Sequence, residues 1–420
     1  MSKLERLIQQ YCPDGVEWKA LYSITKQFSG MTGVSNKWAE EGNCVFIDYN
    51  NVYNHTSVDT TALKKATVKS LKQNTLKKGD ILFTSASETP DECALSSVIE
   101  KDLPDGVFLD DHLFGLRLLD EYSSVISPSY LKYAFRSEQF RFQIKKVVRG
   151  ATRHYVSKVD FMKLEIPVPP LPVQEEIVRI LDAFTELQAE LQAELQKRKQ
   201  QYNYYLDNLL NFKNINRGGY QAEVRWMKMS EVFEIRNGYT PSKAKKEFWE
   251  GGTIPWFRME DIRQNGRILS DSILHITPKG VKGKGLFKAN SFILATTATI
   301  GEHALIIADS LANQQFTNLS IRKSLENELS VKYVYYYFFV IDEWCKANTN
   351  VSNFASVDMS KFHNLLIPIP SIAEQQKIVS ILDRFDTLTN DLTSGLPAEM
   401  EKRRQQYEYY RDRLLTFKRL

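Results

Sequence analysis

Ile166-Pro167-Val168-Pro169-Pro170-Leu171-Pro172-Val173-Gln174-Glu175-Glu176-Ile177-Val178-Arg179-Ile180-Leu181-Asp182 decides the reading of this chain, because the chain repeats it near its end. Ile367-Pro368-Ile369-Pro370 answers Ile166-Pro167-Val168-Pro169 at an offset of 201 residues (367 − 166). Gln375, Ile378, Leu382, Asp383, Phe385 and Leu388 answer Gln174, Ile177, Leu181, Asp182, Phe184 and Leu187 at the same offset. Further along, Gln200-Gln201-Tyr202, Tyr204-Tyr205 and Leu209-Leu210 return as Gln405-Gln406-Tyr407, Tyr409-Tyr410 and Leu414-Leu415, now at an offset of 205 (407 − 202). A near-verbatim repeat at this distance means one plan used twice, and the second copy carries four extra residues in its middle.

The repeated stretch reads as a long helix. Prolines stand at its start, where they are tolerated, and none follows. Ile177, Leu181, Phe184, Leu187, Leu191, Leu195, Tyr202, Leu206 and Leu209 fall three, four or seven apart, which places them on one apolar stripe. Residues 173–212 make roughly 60 Å of helix at about 1.5 Å per residue. That length suits a helix packed along another as a coiled coil. The second copy is interrupted by Ser394-Gly395-Leu396-Pro397, so a break is expected there, with Pro397 near the first position of a restarted helix.

Working outward, residues 2–11 read as a short amphipathic helix with Leu4, Leu7 and Ile8 on one face, closed by Pro13-Asp14-Gly15. The same layout of helix, turn and tryptophan runs from Leu209-Leu210 through Gly218-Gly219 to Trp226. The N-terminal helix is therefore either a stand-in for that helix end or a docked terminus. Residues 18–165 mix short β-like runs with helix: Val45-Phe46-Ile47, residues 80–84 and residues 114–118 as strands, residues 129–146 as helix. Residues 226–366 repeat the plan faintly. Phe46-Ile47 matches Trp256-Phe257 (offset 210), Ile81-Leu82 matches Ile293-Leu294 (212), Leu109 and Phe114 match Leu311 and Phe316 (202), and Tyr130 matches Tyr333 (203). The helical halves are close copies while the globular halves share a scaffold and little else. Similar helices imply equivalent contacts with one kind of partner, and differing heads imply different targets.

These motifs resemble the specificity subunit of type I restriction–modification systems, over essentially the whole length. The stretch from Ile166 to Asp182 resembles that family's central conserved region. Ser394-Gly395-Leu396-Pro397-Ala398-Glu399 through Tyr407-Glu408-Tyr409-Tyr410-Arg411 resembles its distal one. Gly238-Tyr239-Thr240-Pro241-Ser242 resembles a turn near the start of its target recognition domain. The first head departs there with Gly30-Met31-Thr32-Gly33-Val34-Ser35. The resemblance implies an α+β architecture: two mixed α/β target recognition domains separated by two long antiparallel helices in a coiled coil, with a pseudo-two-fold internal repeat. It divides the chain into an N-terminal helix (1–17), a first recognition domain (18–165), a central spacer (166–217), a second recognition domain (218–366) and a distal spacer (367–420). It implies double-stranded DNA as target, each domain reading half of a split site. Its partners would be two modification (methyltransferase) subunits and motor-endonuclease restriction subunits. The subunit itself would have no cofactor and no catalytic activity. Stripe residues Leu181, Phe184, Leu187, Leu191, Leu195, Tyr202, Leu209, Leu382, Phe385, Leu388, Tyr407 and Leu414 would form the spacer and meet partner helices.

Thr185-Glu186-Leu187-Gln188, Ala189-Glu190-Leu191-Gln192 and Ala193-Glu194-Leu195-Gln196 form three four-residue units in this spacer. Each adds about 6 Å, a ruler for the gap between half-sites. Tyr202 and Tyr205 share a helix face whereas Tyr204 points elsewhere. That second face suits either another subunit's helices or the protein's own heads. Lys197-Arg198-Lys199 and Lys402-Arg403-Arg404 read as a solvated face or a partner contact.

Net charge is only +4, so any nucleic-acid surface must be local. The candidates for phosphate contact in the first head are Lys64, Lys65, Lys69 and Lys72 with Lys77 and Lys78, then Lys145, Lys146, Arg149 and Arg153. In the second they are Lys243, Lys245 and Lys246, then Arg258, Arg263 and Arg267, then Lys279, Lys282 and Lys284. Gly150-Ala151-Thr152-Arg153 and the glycine-rich residues 280–285 read as flexible loops able to approach a phosphate backbone. Asn50, Asn51, Asn313, Gln314 and Gln315 have the chemistry to read adenine edges.

Enzyme readings fail on the residues. The Asn/Asp-Pro-Pro-aromatic loop of an amino-methyltransferase is missing, and residues 280–285 lack the Gly-Lys-Ser/Thr of a phosphate loop. Pro13-Asp14, Glu17 and Lys19 are bunched in one turn, whereas a nuclease core needs carboxylates from separate strands. Asp110-Asp111-His112 reads as a turn rather than a metal site, and the remaining histidines are scattered. Cys12, Cys44, Cys93 and Cys345 form no C-x-x-C pair and suit a reduced, cytoplasmic protein. No apolar run reaches the ~20 residues of a membrane span. The alternative function is a two-headed coiled-coil adaptor that does not read DNA, which the salt dependence of duplex binding distinguishes.

Overall fold

The computed structural model describes residues 2–212, 224–350, 355–391 and 394–420. They form two compact units, one of Met1–Gln192 with Glu399–Leu420, the other of Ala193–Ala398. The units do not follow the segment boundaries expected at 165/166 and 366/367, because each takes spacer helix from both copies of the repeat. The boundary expected at 217/218 and the Gly218-Gly219 turn lie outside the described residues.

The central helix runs Leu171–Leu210, 40 residues without interruption. No glycine or proline stands inside it after Pro172, which lies in the first turn where a proline costs no hydrogen bond. Its second copy is two helices, Ile372–Asn390 and Leu396–Leu414. The break falls where the four extra residues enter, and Pro397 is the second residue of the restarted helix. Ser371 caps the first of the pair by accepting from the Glu374 N–H at 3.3 Å.

In the first unit, Val173, Ile177 and Leu181 are buried with Leu415 and Phe417 in the core, and Tyr407 and Leu414 pack against it. Phe184 stacks on Tyr410 with centroids 5.5 Å apart. In the second unit, Tyr202 and Leu210 share a core with Ile378 and Leu382, and Tyr205 stacks on Phe385 at 5.0 Å. The start of the central helix thus meets the terminal helix and its end meets Ile372–Asn390, the order of an antiparallel pair.

Each head is a core sheet roofed by helix. In the first unit the strand order is Thr25–Ser29, Leu113–Leu118, Ile81–Thr84, Ser96–Val98. In the second it is Phe233–Asn237, Phe316–Ile321, Ser291–Ala295, His303–Ile306, Ile268–Leu269. Register corrects two of the offsets read from sequence. Ser29 lies opposite Phe114 and Asn237 opposite Thr317. The Met31 N–H reaches Leu109 O and the Tyr239 N–H reaches Ala312 O. Leu109 therefore corresponds to Ala312 and Phe114 to Thr317, at 203 rather than 202. The Ser85 and Thr296 amides, bonded to His112 O and Gln315 O, set the other offset at 211 rather than 212. These strands are buried on both faces, so a slip of one residue leaves the apolar pattern intact and spacing alone does not settle it.

The helix expected over 129–146 is two helices, Pro128–Ala134 and Glu138–Val147, because Ser137 caps the second by accepting from the Phe140 N–H. Its counterpart is the single helix Val331–Ala347. The N-terminal helix, Lys3–Tyr11, opens on a Ser2/Glu5 capping box and buries Leu4. It is a docked terminus. The position of the helix end Leu210 and Phe212 in the second unit is taken in the first by Leu415 and Phe417.

The same three anchoring side chains, a glutamine, a tyrosine and an aspartate, tie each head to its helix. Gln174, fully buried, accepts from the Ser127 N–H at 2.9 Å and donates to Val125 O and Pro169 O. Gln375 repeats this with Ser330, Glu328 and Pro370. Tyr130 OH donates to Pro167 O, and Tyr333 OH to Pro368 O, both at 3.0 Å. Asp182 takes Lys132 at 2.9 Å and the Tyr133 hydroxyl, and Asp383 takes Lys332 at 3.0 Å and the Tyr336 hydroxyl.

Candidate nucleic-acid interface

Burial and ion pairing sort the basic residues. Lys64 and Lys65 project from the strand Lys64–Val68, whose Ala66 and Val68 face inward. With Lys69 and Lys72 they are exposed, and none has a carboxylate partner among the described residues. Lys69 also backs the loop at residues 30–34: its N–H bonds Gly33 O at 3.0 Å and its stem lies along Gly33. Lys77 is exposed, and Lys78 meets Asp102 at 3.5 Å. The second cluster is mostly neutralised. Lys145 pairs with Asp91 at 2.6 Å, Arg149 with Asp160 at 2.7 Å, and Lys146 lies over the Phe142 ring, leaving Arg153 unpaired among the described residues.

In the second unit Lys246 pairs with Glu250, Arg258 with Glu260 and Lys279 with Glu247. Arg263 is exposed. Arg267 turns inward to His303 O and Asp342, beside the buried His303 whose Nδ1 bonds Asp342 at 2.7 Å, and so is structural. Lys243 and Lys284 are exposed without an acidic partner among the described residues, Lys245 lies over Phe248, and Lys282 lies over Tyr239 at 4.8 Å.

The two loops expected to be free are tied. Tyr239 OH accepts from the Lys282 N–H at 2.7 Å and donates to Gly280 O at 3.3 Å, while Arg236 donates to Gly285 O and Leu286 O. Gly150 closes the tight hairpin between Val148–Arg149 and His154–Val156 at φ +100°, where a Cβ would lie 2.1 Å from Arg153 O. Each head has a cleft beside the loop that follows its first core strand. Thr32, Ser85, Asp111 and Lys158 line one; Asn237, Tyr239, Lys282, Lys284 and His363 line the other.

Of the proposed base readers, Asn51 is not available. It is buried, with its amide spent on Asp59 O and the Asp59 N–H, both at 2.9 Å. Asn50 and Gln314 are exposed. Asn313 accepts from the Gln315 N–H at 3.0 Å as the cap of its turn. Asp110-Asp111-His112 is likewise a turn, and the space a metal would need is taken by the Lys37 ammonium, 3.0 Å from Asp110 and 2.6 Å from Asp111. Burial disfavours the charge on Lys37, but its bonds to Asp111 and Asp110 outweigh this and raise its pKa.

On the helices, Leu181, Leu195, Tyr202 and Leu382 are buried; Phe184, Leu187, Leu191, Leu209, Phe385, Leu388, Tyr407 and Leu414 are half-buried. Tyr204 and Tyr409, the repeat equivalents, stay 63% and 59% exposed, against 7% for Tyr202. Arg198 pairs with Glu194, and Arg403 and Arg404 pair with Glu399, Glu401 and Glu408, all within their own helices.

A repeated head-and-helix unit with helix shared between copies defines a class. The model of the type I restriction modification DNA specificity domain matches the chain twice, over residues 13–200 and 221–402, and the chain belongs to that family. Among its relatives are two from Escherichia coli. One is the type I restriction enzyme EcoprrI specificity subunit, 54% identical over 204 residues, or 47% of this chain and 51% of the relative. The other is the EcoR124I/EcoR124II specificity subunit, 42% identical over 279 residues, or 63% of this chain and 66% of the relative. The chain therefore aligns with only about half to two-thirds of the length of these relatives. Two solved structures share the fold. The HsdS subunit from Thermoanaerobacter tengcongensis has a TM-score of 0.52 at 18% identity, covering 96% of each chain. A chain from a structure describing complex assembly of the type I restriction–modification system has a TM-score of 0.63 at 17% identity, covering 96% of this chain and 98% of that one. Membership in a DNA specificity family disfavours the non-DNA adaptor.

Proposed function

We propose that this chain is the DNA sequence-specificity subunit of a type I restriction–modification complex. Each head reads one half of a bipartite duplex site, the helices set the gap, and methyltransferase and restriction subunits dock on them. The observation that carries this is the duplicated anchoring: Gln174 and Gln375, Tyr130 and Tyr333, and Asp182 and Asp383 hold two unlike heads to their helices through the same bonds. Unlike readers on like mounts are what a split, asymmetric site requires. Lys64, Lys65, Lys69 and Lys72, with Arg153, Lys243 and Lys284, supply phosphate contacts that position each head; Lys145, Lys146, Arg149, Lys245, Lys246, Arg258, Lys279 and Lys282 contribute less, being paired or stacked already. Exposed Tyr204 and Tyr409 recur at equivalent places, as two copies of one partner need. The chain contributes recognition, and the chemistry belongs to its partners. Methylation mapping in cells carrying the chain with its modification subunits tests this: two specified half-sites around a fixed unread gap are expected, and a contiguous site or no methylation rejects it.

A further inference from the structure

Register shows that Asp110-Asp111-His112 and Asn313-Gln314-Gln315 are the same turn. The Asp110 and Asn313 amides bond Ile47 O and Phe257 O, both at 3.0 Å. Their side chains accept from the His112 and Gln315 N–H groups at 2.9 and 3.0 Å. Their carbonyls accept from Leu113 and Phe316, and the carbonyls of His112 and Gln315 accept from Ser85 and Thr296. Both turns press on a glycine. A Cβ on Gly30 would lie 1.9 Å from Asp110 O, and one on Gly238 would lie 2.2 Å from Asn313 O. The backbone is held alike; the tips are not. Asp111 and His112 are exposed in one unit and Gln314 in the other, and nothing in the turn's bonding requires an acid in one and an amide in the other.

Each tip stands beside its head's cleft and cations. Asp111 lines the cleft that holds Thr32 and Lys158. Gln314 bonds the Thr240 hydroxyl, next to Tyr239, which stacks under Lys282. An acid facing DNA meets phosphate repulsion unless neutralised, and Lys37 does this for Asp111 at 2.6 Å. We propose that this turn is the specificity-determining element of each head, placed at a base edge in the major groove. The proposal rests on the DNA-reading function above. Asp111 can only accept, so it selects an amino group, foremost cytosine N4; Gln314 both donates and accepts, which fits adenine N6 and N7.

The test uses the full chain co-expressed with its modification subunits, mapping methylation for Asp111→Asn and Gln314→Glu. Both changes keep shape; the first exchanges an acceptor for a donor and the second a donor for an acceptor. Each is expected to lower modification of the original sequence roughly tenfold or more, and to alter one or two positions in one half-site only. The two variants should affect opposite half-sites. Unchanged specificity in both variants overturns the proposal, as does an equal loss at both half-sites with no change of sequence. If the unaltered chain modifies no bipartite sequence, the DNA-reading function falls first and takes the turn with it.

Discussion

Gln174 and Gln375 explain why the repeated stretch has hardly diverged. Each is fully buried and serves one N–H and one carbonyl of the loop before its head's helix, and one carbonyl of the proline run before its own helix. An unmet buried polar group costs about 1–3 kcal/mol, so Gln174→Ala should cost about 3 kcal/mol, read from the urea midpoint of the full chain. Gln375→Ala should match it in the other unit, and a neutral result in either would show the bonds to be dispensable. Glu176 separates the two copies, since its repeat equivalent is Lys377. Arg179 foremost, and Lys3, hold the buried Glu176 carboxyl down to about 2 against its desolvation. A depressed folded pKa stabilises above the unfolded value, and that stability is lost as pH falls from the ordinary carboxylate range toward about 2. Glu176→Gln should flatten acid unfolding in that window, monitored by circular dichroism.

At the scale of elements, the repeat's one length difference is absorbed in a helix break. Thr387 O lies 2.4 Å from where a Gly395 Cβ would sit, with Asp391 O and Leu388 O at 2.9 Å. Gly395→Ala therefore forces the two helix ends apart and should cost about 1–3 kcal/mol, seen as a lowered Tm. The stripe, the break and the N-terminal helix itself were legible from spacing, because helical period and proline act over a few neighbouring residues, whereas its being a docked terminus was not. The split at Ser137 was not, since a capping serine between two stretches of helical spacing looks like any other serine. Strand offsets were legible only to within one residue, and that residue hid the equivalence of the Asp110 and Asn313 turns.

For the whole molecule, the central helix is unbroken through all three four-residue units. Deleting residues 189–192 removes about 6 Å and slightly more than one turn. The mapped gap between half-sites should shorten by on the order of one or two base pairs at about 3.4 Å each, with both half-sites retained. An unchanged gap would remove the helix from its measuring role. Duplex affinity should also fall steeply between about 50 and 200 mM salt, as phosphate contacts demand, and a gel-shift series reads this directly.

By itself the sequence determined that one plan is used twice, that its helical part is kept and its heads are not, and where the second helix breaks. These are properties of local periodicity and of residues that forbid or permit a helix. Only the tertiary structure decided which cations are left unpaired, that Arg267 and Asn51 face inward, and which turn of one head is which turn of the other. Ion pairing, burial and strand register are set by groups far apart in the chain, and no spacing along it encodes them.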